Sequence, residues 1–169
     1  TIHSSESIVE PMSTTAPART GFLDGYLPYL LRKADQTLSA PFYEVLTQAG
    51  VARSEWRVIA VLAELGEMRV ADLAVAALSP QPTVTHALRR LEERGLVSRT
   101  VGVDRRERLV ALTTAGDDLT ASLIAEAIRL EAEALDDAGV ARGDGLADLV
   151  DHLRDLTDSL EARLIGEPA

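Results

Sequence analysis

The sequence predicts a mainly helical α+β fold, six helices with one two-stranded β-hairpin. Three observations predict it. Apolar residues recur at three- and four-residue steps over most of the 169-residue chain, the spacing of one helix face. That period changes to two in one place, between Leu96 and Leu112. Glycine and proline punctuate the helical stretches at Pro41, Gly50, Gly66, Pro80, Pro82, Gly95 and Gly139.

Residues 1–20 are rich in Ser, Thr, Pro and Ala and read as a disordered arm. From Phe22 a helical stripe begins: Phe22, Leu23, Tyr26, Leu27, Leu30, Leu31, Ala34 and Leu38. Pro28 suits the first regular turn, where its missing N–H does little harm. Pro41 is expected to kink or break this helix, and Phe42 to Gln48 continue its pattern until Gly50. The next helix ends at Leu65 before Gly66, with Trp56, Ile59, Ala60, Leu62 and Ala63 as candidate core. A short helix, Val70 to Leu78, follows. Ser79 is expected to cap another helix that runs to about Arg94, with Val84, Ala87, Leu88 and Leu91 on its buried side. Leu96 to Val101 and Glu107 to Leu112 read as strands, and Gly102 to Arg106 as the hairpin tip between them. Thr113 or Thr114 caps the next helix.

Two long helices, about Ala115 to Asp137 and Gly145 to Ile165, complete the chain. The last one aligns Leu146, Leu149, Val150, Leu153, Leu156, Leu160 and Leu164 in a near-heptad seam. A terminal helix cannot bury such a seam alone, so it must pack on its own subunit or on a second one. The expected organisation is an arm over residues 1–20 and an N-terminal dimerisation helix over 21–50. A winged unit over 51–114 and C-terminal dimerisation helices over 115–169 follow.

Composition removes several classes of function. The chain has no cysteine, which excludes disulfides, thiolate nucleophiles and cysteine metal sites. His3, His86 and His152 show no helical metal-pair spacing. No nucleophile–base pair, phosphate loop or metal cluster is visible, so neither catalysis nor a cofactor or metal is expected. Gly143-Asp144-Gly145 links two helices and follows no strand, so it is not a dinucleotide fingerprint. No apolar run suffices to span a bilayer and no signal-peptide pattern is seen, so a cytoplasmic, non-membrane protein is expected.

The net charge is −10, but it is unevenly spread. Residues 81–108 carry 7 arginines against 4 acids, whereas residues 109–169 carry 4 bases against 14 acids. A basic island in an acidic chain fixes where a polyanion can dock. Helix, short turn, helix and hairpin is the order of a winged helix-turn-helix, whose second helix can enter a major groove. Its outward residues are Gln81, Thr83, Thr85, His86, Arg89 and Arg90. Arginine can pair bidentate with guanine, glutamine with adenine, and the helix N-terminus favours a phosphate. The hairpin tip presents Asp104, Arg105 and Arg106, with Arg108 behind it. An arginine projected in this way suits a narrow minor groove, and Asp104 can hold Arg106 in one orientation. The plainer reading of these charges is a solvated surface with weak ion pairs.

The segments Val70-Ala71-Asp72-Leu73-Ala74, Thr83 to Arg99, Asp104-Arg105-Arg106 and Leu109 to Gly116 together resemble the MarR family of bacterial regulators. Glu55-Trp56-Arg57-Val58 is similar to the start of that family's second helix. The resemblance implies a homodimer formed by the first and last helices, with a recognition helix in each major groove. It implies that Asp104 and Arg106 serve the wing contact, and that a small aromatic or phenolic anion releases the protein from double-stranded DNA. Tyr26, Tyr29, Lys33 and Trp56 are the candidates to line that ligand's pocket; core packing or surface charge is the alternative reading for each. The family's threonine cap is replaced by Ala52, so the tryptophan helix is expected to begin at Ser54. A ligand-responsive repressor on a palindromic operator is the expected function. A winged-helix protein-interaction module without DNA binding is the alternative.

Overall fold

The computed structural model describes residues 21–101, 108–140 and 143–166. The N-terminal arm and the hairpin tip, with Asp104, Arg105 and Arg106, lie outside the described residues. The chain divides into two compact units, the first reaching Asp35 and the second starting at Gln36.

The first unit holds α1 (Phe22–Gly25) and most of α2 (Leu27–Leu38). The backbone N–H of Gly21 donates to Asp24 Oδ2 at 2.9 Å and starts α1. Tyr26 is extended and separates the two helices. Its ring stacks on Phe22, with centroids 4.7 Å apart. Pro28 is the second residue of α2, as expected from its tolerance in a first turn. The apolar stripe of this unit, from Phe22 to Leu31, is exposed.

The second unit contains α3 (Ala40–Gln48), α4 (Arg53–Leu65), β1 (Met68–Arg69), α5 (Val70–Ala76) and α6 (Gln81–Glu93). These are followed by β2 (Val97–Val101), β3 (Arg108–Leu112), α7 (Thr114–Asp137) and α8 (Asp144–Gly166). Eight helices are therefore present among the described residues, not six, because the first expected helix is three. One interruption is Tyr26. The other falls at Ser39, two residues before Pro41. Proline lacks an N–H and its ring crowds the carbonyl four residues back, so it is accommodated in the first turn of a new helix.

The expected start of α4 at Ser54 is also corrected. The helix begins at Arg53, although Ala52 has no side chain able to cap it. Glu55 supplies the missing partner by accepting the Ala52 N–H at 2.9 Å. The buried face of α4 runs through Glu55, Val58, Ile59 and Leu62, so Ala63, expected inside, is exposed. Ser79 does not cap α6, since its hydroxyl donates to the Ala77 carbonyl instead. Pro80 occupies the cap position with extended backbone. Thr113 caps α7 as expected, its Oγ1 accepting from Gly116 N at 3.1 Å.

The sheet has three antiparallel strands in the order β1-β3-β2 rather than two. Met68 pairs with Val110 and Arg69 with Leu109, while β2 pairs with β3 from Val97↔Leu112 to Val101↔Arg108. Two residues are too few to show an alternating pattern, so β1 has no signature of its own.

One core unites α4, α5, α6 and the sheet through Val58, Ile59, Leu62, Leu73, Val84, Leu88, Leu91, Val97 and Val110. All four apolar positions expected on the inner side of α6 are buried there. Val84, Leu88 and Leu91 each contribute about 1.5–3 kcal/mol on burial, and the single methyl of Ala87 less. Gly116 seats α7 on this body. A Cβ at Gly116 would stand 2.0 Å from the Leu96 carbonyl oxygen, so only glycine permits the approach. The same carbonyl accepts the Thr113 N–H, and Thr113 Oγ1 donates to the Gly95 carbonyl at 2.7 Å. The entry to the hairpin and the start of α7 are thereby locked together. In α8, Leu149 and Leu160 of the expected seam are more than half exposed.

Candidate nucleic-acid interface

Helix α6 is built with two dissimilar faces. Val84, Ala87, Leu88 and Leu91 are spaced three and four apart and sink into the core. The opposite residues then have to face solvent. Gln81, Pro82, Thr85, His86 and Arg89 line an open concavity of about 570 Å³, and Arg99 of β2 closes its other side. Of the residues singled out in the sequence, Gln81, Thr85, His86 and Arg89 are thus brought together. Arg99 joins them although periodicity alone places it on an ordinary strand position.

The local bonds decide what each side chain can offer. Thr85 Oγ1 donates to the Gln81 carbonyl at 2.9 Å, so its oxygen is left to accept. Arg89 Nη2 lies 3.5 Å from His86 Nδ1, and Arg89 Nε is 3.8 Å from Glu93 Oε1. Both contacts are loose and exposed, so little holds Arg89 back from a stronger anion. Arg99 Nε donates to Glu92 Oε2 at 3.2 Å and ties β2 to α6. The floor is therefore a helix face, and its wall is the root of the hairpin.

Two of the expected DNA-contact residues are placed differently. Thr83 is exposed but does not line the concavity. Arg90 turns inward at its Nε, which lies 2.8 Å from Glu55 Oε1, a carboxylate with no exposed surface. Arg94 Nη1 stands 3.5 Å from Glu55 Oε2 and donates to the Gly50 carbonyl at 2.8 Å. Glu55 stands in the sequence as part of the tryptophan helix, with no role of its own that periodicity assigns. The available signal was a glutamate in the first turn of a helix with an uncapped start, and two arginines four apart on a neighbouring helix.

The four candidates for a ligand pocket fall in both units. Tyr26, Tyr29 and Lys33 belong to the first, all exposed. Trp56 belongs to the second, where it packs edge-on against Phe42 with ring centroids 4.9 Å apart. It lines a cavity of about 230 Å³ together with Phe42, Ile128, Leu130 and Glu131. Nearby, the Arg53 guanidinium lies 3.6 Å from the Tyr43 ring centroid, a cation–π contact. Among the described residues, no cluster of three or more His, Asp or Glu could hold a metal ion. Among them, no helix is long and apolar enough to cross a membrane.

Comparison with known proteins agrees with this geometry. Residues 49–107 match the model of the MarR family, a family of transcriptional regulators and not of enzymes. The chain is 36% identical to the crystal structure of the MarR family transcriptional regulator SPO1453 from Silicibacter pomeroyi DSS-3. The match covers 83% of this chain and 98% of that one, with a TM-score of 0.71. It is 30% identical to NadR, crystallised in complex with 4-hydroxyphenylacetate, over 80% of this chain and 99% of NadR, with a TM-score of 0.68. It is also 31% identical to the homoprotocatechuate degradative operon repressor of Escherichia coli, over 55% of this chain and 64% of that protein.

Proposed function

Because the chain belongs to the MarR family of DNA-binding transcriptional regulators, we propose that it is a homodimeric repressor released from a palindromic operator by a small aromatic acid. The observation that carries the DNA-binding part is the shared surface of Gln81, Thr85, His86, Arg89 and Arg99. It lies in the basic island of an otherwise acidic chain. In this reading α6 enters the major groove with Gln81 and Arg89 toward base edges. Thr83 and Thr85 approach the backbone or a thymine methyl. Asp104, Arg105 and Arg106 reach the adjacent minor groove from the wing.

Dimerisation is supported by apolar surface that a single chain leaves open. Phe22, Leu23, Leu27, Leu30 and Leu31 are exposed at the N-terminal end, and Leu149, Val150, Leu156 and Leu160 along α8. A second copy of the chain is the partner proposed to cover such seams. The effector class rests on the relatives: NadR was crystallised with 4-hydroxyphenylacetate, and the Escherichia coli protein represses a homoprotocatechuate operon. The cavity beside Trp56, lined wholly by the second unit, is the place offered to that ligand. The site of action is the cytoplasm.

A salt titration of duplex DNA binding tests the reading. Each phosphate contact contributes a slope of about −0.9 in log K against log salt, so several contacts make binding fall steeply. Arg89→Ala and Arg106→Ala should each weaken binding while leaving the dimer intact. Absence of binding even at low salt removes the repressor reading and leaves a protein-interaction module.

A further inference from the structure

Glu55 is fully buried, yet it lies on the helix behind the interface, not in it. Its two oxygens face three groups. Oε2 accepts the Ala52 N–H and stands near Arg94 Nη1, while Oε1 accepts no hydrogen bond among the described residues and pairs with Arg90 Nε by charge alone, at 2.8 Å. The two arginines are not used alike. Arg94 also donates to the Gly50 carbonyl, so it fastens the end of α6 to the turn before α4. Arg90 has only its Nε engaged among the described residues, and its side chain is 48% exposed.

Position adds to this. Arg90 is four residues after His86 and seven after Thr83, so the three form one stripe along α6. His86 lines the concavity. Arg90 therefore extends the same surface by one helical turn. A guanidinium ion-paired on its Nε side leaves its two terminal nitrogens as a planar fork, the shape that matches a phosphate. The carboxylate behind it fixes the long side chain before any anion arrives. Ordering such a side chain on binding is otherwise a cost.

We propose that Glu55 is a positioning residue for DNA binding, which holds Arg90 pre-extended as a fork for one backbone phosphate. The proposal rests on the DNA-binding reading above and adds a residue that touches no DNA. A merely structural role would act through Arg94 and the Ala52 N–H, with the same effect whatever residue stands at 90.

A double-mutant cycle on the full chain separates the two. Glu55→Gln keeps an acceptor for the Ala52 N–H and removes the charge facing Arg90. It should weaken DNA binding about three- to tenfold, the range set by ordering one long side chain. Arg90→Ala should weaken binding and reduce the salt slope by about 0.9. In the Arg90→Ala background, Glu55→Gln should have no further effect on affinity. Should Arg90→Ala fold poorly by circular dichroism, Arg90→Gln, which keeps a donor at the place of Nε and lacks the terminal fork, takes its place. Equal penalties from Glu55→Gln in both backgrounds overturn the proposal, as does an unchanged salt slope in the Arg90 variants. Absence of salt-dependent DNA binding by the unsubstituted protein overturns the DNA-binding reading together with it.

Discussion

Substituting Gly116 by alanine isolates the contact that seats α7 on the hairpin. The added Cβ would lie 2.0 Å from the Leu96 carbonyl oxygen, 3.0 Å from its carbon and 3.2 Å from Leu112 Cδ2. The first two are backbone atoms, so no side chain can swing aside. The backbones must part by about an ångström, since carbon and oxygen do not approach much inside van der Waals contact. Overpacking of this kind costs about 1–3 kcal/mol or more. Alanine returns about 1 kcal/mol through its better helix propensity. Disturbing the bonds from Thr113 to the Gly95 and Leu96 carbonyls adds a loss of about 1 kcal/mol. The balance is a destabilisation of about 1–3 kcal/mol, a fall in Tm of roughly 2–12 °C for a domain of this size. Urea titration at fixed protein concentration measures it, with Gly145→Ala as the control. Gly145 also lies in a helix, but a Cβ there meets nothing within 4 Å. A Gly116→Ala protein as stable as the wild type, or more so, would refute the close approach.

Other substitutions follow the same logic. Leu91→Ala removes a side chain with no exposed surface from the inner face of α6, and should cost about 2–5 kcal/mol in urea titration. Leu78 is 84% exposed and holds φ at +49°, a conformation that disfavours side chains. Leu78→Gly should therefore raise stability by about 0.5–1 kcal/mol in thermal melts, relief of strain outweighing chain entropy; a lower Tm would contradict this. Leu156→Glu places a charge on the exposed seam of α8 and should shift sedimentation toward the monomer and abolish operator binding, with the fold of the second unit retained.

Long periodic elements were legible because their signal is repeated many times. The inner face of α6 needed four apolar positions at helical spacing, and all four are buried. Thr113 was legible as a cap because a hydroxyl before a helical run has a specific partner to satisfy. Short or non-local features were not. β1 has two residues, and its partner Val110 is far along the chain. Ser79 was a plausible cap, but Pro80 occupies that position and the serine hydroxyl bonds backward. The site divides in the same way. Gln81, Thr85, His86 and Arg89 share one helix, so periodicity alone grouped them. Arg99 joins them through strand pairing, and Glu55 reaches Arg90 and Arg94 from another helix. Contacts of that kind depend on how elements pack, and no local pattern encodes them.

In the proposed function, two copies of α6 and its wing read one symmetric DNA site. Selection of binding sequences from a random duplex pool by the purified protein tests it most directly. The expected product is an enriched inverted repeat with half-site centres about 10 base pairs apart, or a multiple of that spacing. Enrichment of a single asymmetric half-site, or no enrichment at low salt, would contradict it.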